Sequence, residues 1–562
     1  MQFAGEIKKL LQKAGVKGET DLSIPPNPAM GDFAFACFNL AKESGANPKA
    51  TAESLRVKLE NLKSGIVEKI EVAGPYVNFF LDTGAIAKLA ISDVLKKGKK
   101  FGVGEKQKEK VMVEYSQPNT HKEFHIGHFR NVCIGSVLVN LFRSSGYKVI
   151  SANYIGDIGA HVAKCLWYIK KYQKIVPPTN KGEWLGQMYV EASRAIEENP
   201  ELKSEAQETQ QKLEAGDKEL IKLWKETKQW SLQEFKKIYD LLDVKFDAWF
   251  YESEVEKPGK NMIGELLKSA VAKTGEGGAV IVDLKEFGLE TFLILKSDGT
   301  SLYATKDLAL AKLKFEKYKI DKSIVVVDSR QSFYFKQLFK TLELAGWKKD
   351  LKCVAYEFVR LPEGAMASRT GNVVLFWELY HDVFVSVLKE IKSRHANWKL
   401  KIIEKTASRI ALSAMKFDML KHAADKVVIF DKKSALSFDG FTGPYVLYAV
   451  ARINSILKKA RFKGILKEGY ELLSAPEEKR LVLMLANFRQ VVNEALEQYN
   501  PSTVARYCFD LAQQFNDFYN KHSVLKADNK NLIKARLALS ASVKQVLENA
   551  LSLLIIETVE EM

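Results

Sequence analysis

Two hydrophobic periods alternate along the first 400 residues, and after that only one persists. Up to about residue 105, helical spacing of apolar positions is interrupted by short strand-like runs, EVAGPYVNFFL (71–81) being the clearest. The basic stretch KKGKKFGVGEKQKEK (96–110) reads as a linker. Beyond it, VMVEYS (111–116) predicts a strand and QPNT a turn. HKEFHIGHFRNVCIGSVLVNLFRSSG predicts a helix stopped by Gly146, and YKVISANYIGD the next strand. Further strand runs, TFLILKS (291–297), SIVVVD (323–328) and CVAYEFV (353–359), alternate with helical patterns. Such alternation predicts an α/β fold built on a doubly wound parallel sheet. A Lys/Glu-rich helical stretch at about 165–290 reads as an insertion into it. From 401 to 562 the spacing is helical throughout, as in RLVLMLANFRQVVNEALEQY (480–499), which predicts an all-α bundle. The expected units are therefore an α+β domain at 1–105, the sheet domain at 106–400 and the bundle at 401–562.

Composition narrows the partners. Lys and Arg outnumber Asp and Glu by 85 to 69, a formal charge of +16 shared among all three stretches, so a polyanion would meet a broad surface rather than a basic tail. Cys37, Cys133, Cys165, Cys353 and Cys508 stand too far apart in sequence for a CxxC knuckle or a disulfide framework and read as reduced thiols. The first residues, MQFAGEIKKLLQKAG, lack the apolar core of a signal peptide, and no apolar run reaches the length of a membrane span, so a cytoplasmic protein is expected.

The chemistry concentrates at the first strand-to-helix turn, where ligands bind in open α/β sheets. HKEFHIGH places His121, His125 and His128 at i, i+4 and i+7, on one face of the expected helix. Imidazoles at a helix N-terminus can donate to phosphate oxygens already favoured by the free N–H groups. Gly127 would let a planar base approach the backbone. Satisfied core histidines and a zinc site are the competing readings; the second lacks the carboxylate of HExxH between its histidines. Gly-Lys occurs only at 98–99 and 259–260, without a following Ser or Thr, so a P-loop is excluded, and no GxGxxG follows the first strand. A second candidate, EGAMASRTGNVV (363–374), joins small residues to one fixed cation, Arg369, as a loop closing on phosphates would require. A plain surface turn competes.

Together these segments resemble a known family. HIGH at 125–128 is similar to the first signature of class I aminoacyl-tRNA synthetases, and AMASR at 365–369 stands where their second, KMSKS, is found. VEYSQPNTHKEFHIGHFRN (113–131), SLYATKDLALA (301–311), DSRQSFYFKQLF (328–339) and FDGFTGPYVLYAVARINSIL (438–457) resemble the arginyl-tRNA synthetases in particular. So do GDFAFACFNLAK (31–42) and AGPYVNFF (73–80).

The resemblance implies a Rossmann-like catalytic domain, an N-terminal domain that touches the tRNA D-loop and a C-terminal anticodon-binding bundle. It implies activation of L-arginine by ATP, accompanied by Mg2+, and transfer to arginine tRNA by a monomeric enzyme. His125 and His128 would contact the ATP phosphates, and Gly127 would lie beneath adenine. Met366, Ser368, Arg369 and Gly371 would belong to the closing loop. The family pattern begins its loop with Lys, and here Ala365 takes that place, with Ala367 and Thr370 as further departures; Lys122 would supply the missing cation. Asp307 and Tyr303 would face the guanidinium, while Glu114, Asn119 and Gln331 would hold the α-amino end. Tyr76 and Asn78 would meet an unpaired D-loop base. Tyr445 and Tyr448 would offer stacking platforms, and Arg452, Lys458, Lys459, Arg461, Lys463 and Lys467 phosphate contacts. Three alternatives stay open: a cysteinyl relative, which would need a cysteine cluster, a non-catalytic RNA-binding relative with a decayed nucleotide site, and a zinc hydrolase.

Overall fold

The computed structural model describes every residue except Met1, Glu19, Pro178, 363–373, Lys463 and Asp528, and the side chains of Gln2 and Pro28. Its centre is the expected sheet. Strands β1 (Lys110–Glu114), β2 (Lys148–Ile155), β3 (Ala248–Tyr251), β4 (Lys322–Asp328) and β5 (Asp350–Tyr356) stand in the order β5-β4-β1-β2-β3. Every neighbouring pair is parallel. The chain leaves β1 toward β2 and β3, then returns to β4 on the other side. The order thus reverses between β1 and β4, and the crevice at their carboxyl ends is the natural ligand site.

Period-2 alternation divides the two faces. Val111, Val113, Ile324 and Val326 pack toward helix α1 (Ile126–Ser144), which is apolar nearly all round and accordingly buried. Met112, Ile150, Ala152 and Phe250 point the other way, against Ala309, Leu310 and Phe315. The helices of the middle region that matter for the site are α2 (Lys218–Leu242), α3 (Glu252–Lys268), α4 (Tyr303–Tyr318) and α5 (Ser332–Leu344).

Three sequence expectations change. The run at 291–297 is not part of the parallel sheet: Phe292–Leu295 pairs antiparallel with Val280–Val282 in a separate three-stranded sheet, because the two runs are close enough in sequence to meet as a hairpin. The stretch 165–290 is not one helical insertion. Helices Ala160–Lys171, Lys181–Glu198, Leu202–Glu214 and α2 form a helical layer, but Ala248–Tyr251 then returns as edge strand β3. At four residues, it is too short to show a period. The run 71–81 is two strands, Val67–Ala73 and Tyr76–Leu81, folded back at Gly74, whose φ of 60° suits the turn.

Around this core, the N-terminal region forms a four-stranded antiparallel sheet with helices. The C-terminal region is a bundle of Gly443–Ala460, Pro476–Glu497, Pro501–Lys521 and Lys530–Leu553, with Leu400–Leu420 packed alongside. The linker that joins the N-terminal region to the sheet is tightly seated against the bundle: a Cβ at Gly102 would lie 2.5 Å from the Phe488 ring, and one at Gly104 2.2 Å from the Arg489 guanidinium. Among the described residues no helix is long and apolar enough to cross a membrane.

Candidate active site

Helix α1 starts later than its sequence suggests. Ser116, Gln117 and His121 adopt positive φ, so the chain turns through them, and the first helical residue is Ile126. His121 therefore does not share a helix face with the other two imidazoles. Its ring is buried between the hydroxyls of Thr120 (3.0 Å) and Thr227 (2.8 Å), and the structure does not gather three histidines as the zinc reading needs. Burial lowers its pKa to about 3.

His125 is the N-cap. Its Nδ1 accepts from the backbone N–H of Gly127 (3.1 Å) and of His128 (3.3 Å), while Nδ1 of His128 accepts from the backbone N–H of His125 (3.3 Å). This reciprocal arrangement satisfies orphan donors of the first turn with two imidazoles instead of the usual Ser and Glu. The rings stack 3.7 Å apart. A nitrogen that accepts carries no proton, so each neutral ring bears its proton on Nε2. Burial, with Lys122 nearby, holds His125 at about 4, and burial and His125 hold His128 well below the usual value, so both are neutral donors at pH 7. Glycine at 127 also makes room for this cap, since a Cβ there would lie 2.9 Å from the His125 ring.

Lys122 lies with its Nζ 4.8 Å above the Tyr189 ring. Across the switch point, Arg330 follows β4 and pairs with Asp328 at 2.7 Å. Met366, Ser368, Arg369 and Gly371, with Ala365, Ala367 and Thr370, lie outside the described residues. The backbone on either side of that stretch is fixed to α1. Ile126 N–H donates to Val374 and Phe376 N–H to Phe124. The buried guanidinium of Arg130 donates to the carbonyls of Glu357, Phe358, Ala423, Ala424 and Lys426.

Beside the histidines, under α4 and α5, lies a cavity of about 230 Å3. Glu114, Asn119, Tyr303, Asp307 and Gln331 all line it, so five residues spread over more than 200 positions meet in one place. Glu114 ends β1, Asn119 bridges to Gly156 beyond β2, Tyr303 and Asp307 open α4, and Gln331 follows β4. The same cavity adds residues that sequence reasoning missed: Tyr154, Glu252, Lys314 and Tyr334. Glu114 pairs with Lys314 at 2.5 Å and accepts from Gln117 at 2.8 Å. Glu252 pairs with buried Lys306 at 2.7 Å. Asp307 accepts from the Tyr334 hydroxyl at 2.6 Å and, among the described residues, forms no ion pair with a lysine. Burial, opposed by Tyr334 but reinforced by Glu114 and Glu252, raises it to about 7. Val325, Val327, Phe335 and Leu338 supply apolar walls. The cavity thus suits a ligand with an aliphatic stem and a cationic end.

The remaining predicted residues divide by exposure. Tyr76 is exposed and packs edge-on against Phe38, but Asn78 is only 3% exposed between strands and does not present its amide outward. Tyr445 is half-buried, its hydroxyl accepting from Asn516 at 3.0 Å and its ring against Phe509. Tyr448 is exposed, with the Arg452 guanidinium 4.8 Å above it. Phe438, which opens the same motif, and Tyr519, which lies far from it in sequence, complete that exposed cluster and were not singled out. Lys458 pairs with Glu561 at 3.1 Å and Lys459 is exposed. Lys463 lies outside the described residues.

Comparisons with known proteins cover the whole chain. Residues 1–81 match the model of the arginyl-tRNA synthetase N-terminal domain, 90–431 that of the class I (R) tRNA synthetase catalytic domain, and 446–562 that of the DALR anticodon-binding domain. The arginine–tRNA ligase of Bdellovibrio bacteriovorus is 38% identical over 96% of this chain and 93% of its own, and that of Clostridium perfringens 39% over 96% of both. The solved arginyl-tRNA synthetase of Thermus thermophilus superposes with a TM-score of 0.84 at 28% identity, covering 100% of this chain and 99% of that one.

The imidazole cap yields a stability test. His125→Ala removes the acceptor for two backbone donors and is expected to cost about 1 kcal/mol, while His125→Asn, itself a strong capping residue, should lose only a few tenths. Thermal melts of the two variants check this. Equal destabilisation would mean that the side chain does not cap α1.

Proposed function

This chain belongs to the class I arginyl-tRNA synthetase family, and we propose how the residues of its site divide the work. It ligates L-arginine to arginine tRNA at the expense of ATP, through an arginyl-adenylate, releasing pyrophosphate and AMP. The observation that carries the assignment of roles is the adjacency, at one switch point, of two neutral Nε2–H donors and a carboxylate-lined cavity of amino-acid size.

In this reading the Nε2–H groups of His125 and His128 donate to the ATP phosphates, at the N-terminus of α1, and the backbone at Gly127 supports the adenine. Mg2+ enters with ATP as part of the substrate. Lys122 turns from Tyr189 toward the phosphates and provides the cation that Ala365 does not, and Met366, Ser368, Arg369 and Gly371 close over the nucleotide. The arginine carboxylate attacks the α-phosphorus in line with departing pyrophosphate. The chain contributes orientation and fixed donors for the charge that develops on the leaving group.

For arginine, Asp307 and Tyr303 face the guanidinium, while Glu114, Asn119 and Gln331 hold the α-amino end. The ion pairs of Glu114 with Lys314 and Glu252 with Lys306 nearly cancel, so Asp307 is the carboxylate left for the incoming cation. Tyr76 stacks on an unpaired tRNA base, with Asn78 buried in the strand behind it. Tyr448 and Arg452 form a platform for the anticodon loop, Tyr445 supports it from beneath, and Lys458 and Lys459 meet phosphates. The three functional units correspond to 1–105, 106–400 and 401–562, and the protein works as a cytoplasmic monomer.

Three outcomes are expected. In the presence of total tRNA, ATP consumption surveyed across the twenty amino acids should respond to arginine; a response to another amino acid, or to none, overturns the assignment. Lys122→Met should depress pyrophosphate exchange by orders of magnitude without altering the melting temperature, and an unaffected rate would remove Lys122 from the mechanism. Asp307 is a carboxyl with a raised pKa, charged above about pH 7 and neutral below, whereas arginine stays cationic throughout. The KM for arginine should therefore climb as pH falls from 8 to 6, approaching about tenfold per unit below the pKa. A flat profile would exclude Asp307 from guanidinium binding.

A further inference from the structure

The arginine cavity holds a polar group that none of the roles above employs. Tyr154 is the penultimate residue of β2. Alternation along that strand places it on the side of Ile150 and Ala152, which face α4, so its ring enters the cavity floor beside Glu114 of β1. Its hydroxyl is buried and, among the described residues, has no hydrogen-bond partner. The contrast with its neighbours is sharp. Tyr334, on the opposite wall, donates to Asp307, Glu252 receives Lys306, and Glu114 receives Gln117. A buried hydroxyl left without a partner is costly, and one that lines a ligand-sized cavity can be completed by the ligand itself.

We propose that Tyr154 is a specificity residue of the arginine site, its hydroxyl accepting an N–H from the guanidinium from the sheet side while Asp307 receives the other edge from α4. This rests on the reading of the cavity as the arginine site. Three physical points support it. A guanidinium carries five N–H donors in one plane, and one carboxylate satisfies at most two of them, so a second acceptor set off from Asp307 is needed in a closed pocket. A phenol oxygen accepts without adding negative charge, which matters where Glu114, Glu252 and Asp307 already crowd one another. Those carboxylates, Asp307 foremost after burial itself, push the phenol ionisation well above its usual value, so it remains a neutral hydroxyl at any working pH. It also retains its own proton for donation to a neighbouring carboxylate once the ligand has ordered the pocket.

The test uses the full-length enzyme with tRNA in pyrophosphate exchange. Tyr154→Phe deletes one oxygen and keeps the ring that packs on the sheet. The KM for arginine is expected to rise about tenfold, with kcat within about twofold and the KM for ATP unchanged. Two competitive inhibitors separate the ends of the pocket: n-propylguanidine carries the guanidinium without the α-amino acid, and norvaline the α-amino acid without the guanidinium. In the variant, propylguanidine should lose affinity in parallel with arginine while norvaline keeps its own. Unchanged arginine and propylguanidine constants, or a loss confined to norvaline, would overturn the proposal. Absence of arginine-dependent exchange in the unsubstituted enzyme would instead overturn the functional reading beneath it. Should Tyr154→Phe melt at a lower temperature, Tyr154→Leu serves as the packing control: an equal arginine defect in the two, with norvaline weakened as well, would make Tyr154 a structural residue only.

Discussion

Two imidazoles exchanging hydrogen bonds with each other's backbone set the geometry from which the rest of the site follows. Helix α1 leaves the switch point with unsatisfied N–H groups, and at that place a serine or aspartate cap would have sufficed for stability. Using His125 and His128 instead commits both Nδ1 atoms as acceptors and thereby fixes both protons on Nε2. The folding requirement and the chemical requirement are met by the same bonds. Neutrality follows as well, because burial and Lys122 keep His125 uncharged, so each ring offers an N–H donor without adding positive charge.

The adjacent cavity solves the opposite electrostatic problem. Three carboxylates in a small volume would repel one another and protonate; Lys314 and Lys306 cancel two of them, and Asp307 is left held near neutrality by its surroundings. A cation entering the cavity therefore meets a site that is nearly balanced until it arrives, which limits the desolvation cost of keeping a charged pocket empty.

Much of this was legible in the residues, and the exceptions have physical causes. The parallel sheet, the bundle and the histidine turn follow from period and spacing, because long apolar patterns survive any tertiary context. Strand β3 escaped because four residues cannot display a period, and Phe292–Leu295 was misplaced because a strand pattern does not state its partner. His121 was grouped with His125 and His128 because i, i+4, i+7 spacing presumes a helix, whereas positive φ at Ser116, Gln117 and His121 turns the backbone first. Glu252 and Tyr334 looked like ordinary helix residues, Tyr154 like a strand aromatic; what distinguishes them is which cavity they enter, and that depends on packing between segments far apart in sequence. Asn78 shows the converse, since a residue with the right chemistry in the right motif lies under the sheet.

The anchoring of the segments that flank 363–373 bears on how the two signatures can cooperate. Before that stretch, the carbonyls of Glu357 and Phe358 are held by Arg130; after it, Val374 and Phe376 bond to Ile126 and Phe124. All these anchors lie on α1 or in the turn that leads into it, within seven residues of sequence. Among the described residues the terminal nitrogens of this guanidinium donate to backbone carbonyls and to no carboxylate, so it ties together the two backbones it joins. The same carbonyl set includes Ala423, Ala424 and Lys426, which lie beyond helix Leu400–Leu420 on the way to the bundle. The segment that leads toward the bundle is thus joined to α1 by directed hydrogen bonds as well as by the apolar packing of helix Leu400–Leu420. Helix α1 is the element that the His125 turn and the bundle's leading segment hold in common.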